Sequence, residues 1–125
     1  MCNCLKGAGI IMEQKKKEIE ETIALVQSAY LKLCKDASEG FSYFKKIVTR
    51  LSDTMSEILD NAPRIKELGV DFPTEIVLQQ VQNMAEACEK SDVVLLADTL
   101  CYEIKETLLF YTEILHEMMK ENLEF

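Results

Sequence analysis

The chain has no tryptophan, one histidine, two prolines and four glycines in 125 residues. So few backbone breakers exclude a fold built from many tight turns and favour long uninterrupted helices. Basic residues are also scarce, 14 against 22 acidic, for a net charge of -8. The only basic run, Lys15-Lys16-Lys17, is followed at once by Glu18, Glu20 and Glu21. No stripe of positive charge is left to track phosphates, so neither nucleic acid nor an anionic membrane surface is an expected partner. No apolar run approaches the ~20 residues that cross a bilayer. The stretch Gly7 to Met12 is too short for a signal-peptide core, and no small-residue cleavage site follows it. The expected compartment is the cytoplasm.

What is present is globular in composition, with 48% apolar and 29% charged residues, enough for one domain around one core. Apolar positions recur at three- and four-residue steps in four stretches, the period of a helix that buries one face. The first covers Met12 to Lys35, with Ile19, Ile23, Val26, Tyr30 and Leu33 on one side. Asp36 and Glu39 form a capping box for the second, Ala37 to Asp60, although Gly40 could equally close the first. The second carries Phe41, Phe44, Val48, Leu51, Met55 and Ile58. Asn61-Ala62-Pro63 is expected to end or kink it. In the connector to Pro73, Ile65 and Leu68 suggest a short helical turn closed by Gly69, while Val70 and Phe72 plug one end of the core.

Pro73 suits the first turn of the third helix, Pro73 to Glu89. There Val77, Val81, Met84 and Cys88 face inward beside Leu78 and Ala85, and the amides Gln79, Gln80, Gln82 and Asn83 face solvent. Ser91 is placed to cap the fourth helix, which runs to Lys120, and residues from Asn122 onward are expected to fray. The fold class predicted is all-α, an antiparallel four-helix bundle with a short helical turn between helices 2 and 3.

Residues 1–11 stand apart, without a period and with two glycines. Cys2 and Cys4 form an isolated C-x-C, a metal or redox pattern. The alternative is a disordered leader ahead of Met12, because Ala8-Gly9 can be encoded by bases that include a bacterial ribosome-binding site. The chain is therefore divided into residues 1–11 and a bundle domain of residues 12–125. The remaining cysteines, Cys34, Cys88 and Cys101, sit on apolar faces and read as core thiols in a reducing compartment.

Glu113 and His116 make the E-x-x-H of a di-iron helix, but such a site needs a second histidine, and none exists. His116 reads as an exposed helical histidine. Cys101 lies four turns away on the same helix, so these two side chains cannot form a thiol–imidazole pair. No glycine-rich phosphate loop is present. No catalytic residue, cofactor or metal site is assigned.

The fourth helix holds the anomaly. Its core stripe is centred on Val93, Leu100, Ile104, Tyr111 and Met118, and Asp98, Glu106, Glu113 and Glu117 lie opposite. Yet Leu95, Tyr102 and Leu109, with Phe110 beside them, also project to the polar side at 100° per residue. This second apolar seam is either further core or a seat for another helix. The hairpin Met84-Ala85-Glu86-Ala87-Cys88-Glu89-Lys90-Ser91-Asp92, with Leu95-Leu96-Ala97-Asp98-Thr99-Leu100 and Glu103-Ile104-Lys105-Glu106-Thr107, resembles the last hairpin of flagellar export chaperones. It is also similar to small bacterial helical-bundle proteins. The first resemblance implies a small cytosolic helical bundle that binds flagellin and holds it unpolymerised until export. The expected function is a non-enzymatic adaptor or chaperone-like protein that binds a partner helix through Leu95, Tyr102, Leu109 and Phe110. The alternatives are a homodimer using the same seam, and a thiol- or metal-dependent enzyme or sensor using Cys2, Cys4 or His116.

Overall fold

The apolar stripes become four helices in the computed structural model, which describes the backbone of residues 2–123 and 125 and the side chains of residues 11–123 and 125. Helix α1 is Cys2–Lys35, α2 is Ala37–Glu67 and α3 is Thr74–Lys90. Helix α4 covers residues 93–120 without a break, in three sections: Val93–Asp98, a π-helical turn Thr99–Ile104, and Lys105–Lys120. The described residues contain no strand. The backbone of α1 is helical from Cys2, ahead of the Met12 at which periodicity begins. The side chains of Cys2 and Cys4 lie outside the described residues, and the division of the chain at Met12 rests on sequence alone.

Asp36 is the one residue between α1 and α2. Its backbone is extended (φ -152°, ψ 112°), and its carboxylate accepts from the Glu39 N–H at 3.2 Å, as the capping pattern requires. Gly40 lies inside α2 and does not close α1. A Cβ at Gly40 would stand 2.6 Å from Leu33 Cα and 2.7 Å from the Leu33 side chain, so the two helices touch almost backbone to backbone.

Farther from the turn, ion pairs hold an antiparallel register. Lys32 meets Glu39 at 3.4 Å, Arg50 meets Glu21 at 3.0 Å, and Lys15 meets Glu57 at 2.6 Å. Lys15 and Glu57 are half-buried and the other two pairs lie at the surface, where such a pair contributes at most about 1 kcal/mol. Their effect is on register, whereas the burial of Phe44, Leu51, Met55 and Ile58 beneath them stabilises by roughly 1.5–3 kcal/mol per side chain.

Helix α2 does not end at Asp60. It continues through Pro63 to Glu67, and the separate helical turn expected in the connector is its last turn. Proline removes an intrahelical hydrogen bond, a cost of about 3 kcal/mol in a helix interior. Burial outweighs that here, because Ile58, Ala62 and Ile65 carry the core stripe past the proline, whose ring is on the exposed side. The helix stops where Gly69 turns left-handed (φ 91°), and Val70 N–H reaches back to Ile65 C=O at 3.2 Å.

Two non-glycine residues end helices in the same manner. Ser91 (φ 50°) closes α3, with Asp92 N–H on Ala87 C=O at 2.8 Å, and Asn122 (φ 56°) closes α4, with Leu123 N–H on Met118 C=O at 2.8 Å. Ser91 is therefore not the cap of α4. That role belongs to Asp92, whose carboxylate accepts from Leu95 N–H at 3.0 Å. The tail expected to fray instead folds back, and the Phe125 ring stacks on Tyr111 with centroids 5.9 Å apart.

Helix α3, capped by Pro73, is rotated from its expected setting. Its buried residues are Val77, Gln80, Met84 and Ala87. Val81 is half-buried, and Leu78, Ala85 and Cys88 are exposed. Gln80 on that buried face is satisfied: its amide oxygen accepts from the Thr107 hydroxyl of α4 at 2.9 Å. A buried amide with a partner costs little, and one without a partner costs about 1–3 kcal/mol. The helix sits where Gln80 has that partner.

The π-helical turn in α4 has a cause in the sequence. Leu96, Leu100, Ile104 and Leu108 are all fully buried and four residues apart. At 3.6 residues per turn each such step drifts by about 40°, so the fourth side chain would point roughly 120° away from the first. One wider turn takes up the drift and keeps all four on the core. Thr99, inside that turn, is fully buried, and its hydroxyl has no hydrogen-bond partner among the described residues.

Gly40→Ala separates the two effects at the α1–α2 turn. Alanine favours helix by about 1 kcal/mol, but the added Cβ meets backbone that no rotamer change can move. A net loss of about 1–3 kcal/mol is expected in urea unfolding; a stabilised variant would show that the helices are not in such close contact.

Candidate functional site

The residues predicted to form the seam on α4 do not share one fate. Tyr102 is 68% exposed, and Leu109 and Phe110 are each 38% exposed. Leu95 is half-buried and packs against the core. Val94, which the angular argument did not select, is 65% exposed. The π-helical turn between Leu95 and Tyr102 breaks the constant rotation per residue on which the seven-residue spacing depends. The signal was in the sequence, in the four-residue steps of Leu96, Leu100, Ile104 and Leu108.

Phe110 has work inside the fold as well. Its ring stacks on Phe72 of the α2–α3 connector, with centroids 5.6 Å apart and planes 6° from parallel. Phe72 is buried beneath it, as the plug at one end of the core. The freely exposed aromatic on α4 is thus Tyr102, and Phe110 is half lid, half surface. Nearby, Asn61 Nδ2 donates to Tyr111 Oη at 2.9 Å. Burial pushes the Tyr111 hydroxyl far above its ordinary range, and the Asn61 bond only partly offsets this. The pair satisfies a buried phenol and offers no reactive group to solvent.

The cysteines are placed differently from expectation. Cys34 and Cys88 are exposed and Cys101 is half-buried, so none of the three is a core thiol. All three are free. Cys88 follows the buried Ala87 and turns outward; partial desolvation of its thiol raises the pKa, and Lys45 of α2 pulls the other way. Cys34 lies one turn after Tyr30 on α1, where Cys101 and Tyr102 of α4 approach. Cys34 is the largest influence on the Tyr30 hydroxyl, with Cys101 and Tyr102 acting in the same direction, and together they push Tyr30 up to about 12.

His116 is exposed on α4 and shares a shallow depression with Lys16, Thr112, Glu113 and Glu117. No cysteine lines that depression. Among the described residues, no group of three or more histidine, cysteine, aspartate or glutamate side chains is placed to hold a metal ion. No helix among them is long and apolar enough to cross a membrane.

The Tyr30 cluster is open to titration. Its raised pKa means that the folded state keeps a proton that the unfolded state loses near pH 10, so stability present below pH 10 is lost as pH rises toward about 12. Tyrosinate absorbance should show one tyrosine ionising near pH 12, and Cys34→Ala should move it down toward the ordinary value; an unchanged titration would mean the thiol does not touch it. Compared with known proteins, the chain matches no family model, no curated protein and no solved structure.

Proposed function

We propose that this chain is a non-enzymatic interaction protein, an adaptor or chaperone built as an antiparallel four-helix bundle, which presents the outer surface of α4 to a helix of a partner protein. The observation that carries the reading is Tyr102. It is a large aromatic, 68% exposed, on a helix that already buries a complete core face. Leu109 and Phe110 extend the apolar area along the same helix, each 38% exposed.

The bundle is supported by the neighbours of each helix: α1 with α2 through Lys15 and Glu57, α3 with α4 through Gln80 and Thr107, α2 with α4 through Asn61 and Tyr111, and the packing of α1 on α4 and of α2 on α3. The resemblance of the α3–α4 hairpin to flagellar export chaperones points to the same mode of action, a helical bundle that shields another protein's helix. A cytoplasmic setting agrees with three free thiols, two of them exposed. Among the described residues, His116 lies beside carboxylates and Lys16, and Cys34, Cys88 and Cys101 do not line that depression.

Tyr102→Glu with Leu109→Glu tests this. Both side chains are exposed, so the far-ultraviolet spectrum should be unchanged and the thermal midpoint should move by only a few degrees. Capture of a partner from the source cell's extract should fall at least tenfold relative to the parent chain. Light scattering of the parent at high micromolar concentration separates the homodimer, which would appear as a doubled mass abolished by the double variant. An unfolded double variant would show that the surface belongs to the core.

A further inference from the structure

The last turns of α4, the end of α2 and the returning tail enclose a second apolar feature, a cleft of about 310 Å³. Leu68 and Val70 come to it from the α2–α3 connector, Ile114 and Met118 from α4, and Leu123 from the tail. Phe110 stands at its edge and joins it to the exposed surface described above. The rim is acidic: Glu113, Glu117 and Glu121 follow one another at four-residue steps along one side of α4. Glu117 meets only Lys120, at 3.5 Å with both side chains exposed, and Glu113 and Glu121 form no ion pair among the described residues. The helix also ends here, and the partial negative charge of its C-terminal carbonyls adds to that of the rim.

An occupant must satisfy both halves of this feature. The walls want a large aliphatic or aromatic side chain. The rim repels an anion, and a neutral ligand would leave Glu113 and Glu121 without a counter-charge beside a newly dried surface. A second copy of this chain brings a net charge of -8 to an already negative rim. Carboxylates four residues apart on a helix are separated by about 6 Å along its axis. Cations at four-residue steps on a helix lying alongside repeat at that same interval.

We propose that this cleft seats an amphipathic helix of a partner protein whose apolar stripe is flanked by lysine or arginine at four-residue steps. This rests on the reading of the chain as a helix-binding protein and names the chemistry of the helix it takes. One large side chain of that helix enters between Leu68 and Ile114, and its cations lie over Glu113, Glu117 and Glu121. The acidic character of the whole chain then acts at a distance, raising the encounter rate with a basic segment and lowering it with an acidic one.

The probe is a labelled synthetic helix of leucine and lysine, about five turns long, with a leucine and glutamate counterpart, read by fluorescence polarisation. Glu113→Gln, Glu117→Gln and Glu121→Gln together should weaken binding of the lysine peptide about tenfold or more. Asp53→Asn, Glu75→Gln and Glu89→Gln, which remove the same charge from other exposed positions, should weaken it less than about threefold, a difference of well under 1 kcal/mol. The glutamate peptide should not bind, and amide shifts caused by the lysine peptide should centre on Leu68, Val70, Ile114 and Leu123.

Equal losses in the two triple variants, or equal affinity for the two peptides, would overturn the proposal, as would absence of binding by the lysine peptide. If shifts centre on Tyr102 and only the Tyr102 and Leu109 double variant loses the peptide, the cleft is wrong while the helix-binding reading stands. Loss of both partner capture and peptide binding in the parent chain would end both. A dimer dispersed by the cleft variant would assign the cleft to a second copy and overturn its assignment to a basic helix.

Discussion

Everything in this fold hangs on one helix keeping one face inward for its full length. Helix α4 touches α1 along most of its course and α3 along its first half. Its apolar residues can satisfy both neighbours only if the stripe does not wander. Four-residue steps from Leu96 to Leu108 would make it wander, and the π-helical turn at Thr99–Ile104 corrects the phase. The local cost is visible: the Thr99 hydroxyl is buried there without a partner. A buried unsatisfied hydroxyl costs about 1–3 kcal/mol, and keeping Leu100, Ile104 and Leu108 on the core outweighs it, since each loses a comparable amount if turned to water.

The same turn decides what α4 shows to solvent. Once the inward face is held constant, Tyr102 and Leu109 remain outside, and Leu95, on the far side of the turn, is drawn partly in. Toward its C-terminal end the helix meets the connector and the tail, both brought back by left-handed residues, Gly69 and Asn122. These two chain reversals complete the acidic-rimmed cleft beside the exposed surface. Apolar area and negative charge are thus concentrated along one helix, the arrangement a protein needs if it is to take another helix and discriminate by charge.

Much of this was legible in the residues. The number of helices, the Asp36 cap, the closing role of Gly69 and the plug at Phe72 all follow from local rules, because each depends on neighbours within a turn. What was not legible depends on partners far along the chain. Pro63 is a helix breaker until Ala62 and Ile65 are known to be buried. Gln80 is a solvated amide until Thr107 is found opposite it, and Cys88 is a core thiol until Ala87 is found on the buried face in its place. Ser91 resembles a cap and is a stop, because only the backbone angle tells the two apart. On α4, Tyr102, Leu109 and Phe110 are exposed and Leu95 is half-buried, a difference that uniform helical rotation does not reveal because the π-helical turn lies between them.

The single-residue link at Asp36 has a consequence for chain entropy. A turn that short closes with almost no loop to order, and the two-residue link Ser91-Asp92 closes nearly as readily. The contacts within each helical hairpin are local in sequence, whereas those of α1 with α4 join the two ends of the chain and carry the larger closure entropy. The core stripe of α4 is covered only when both sets are made.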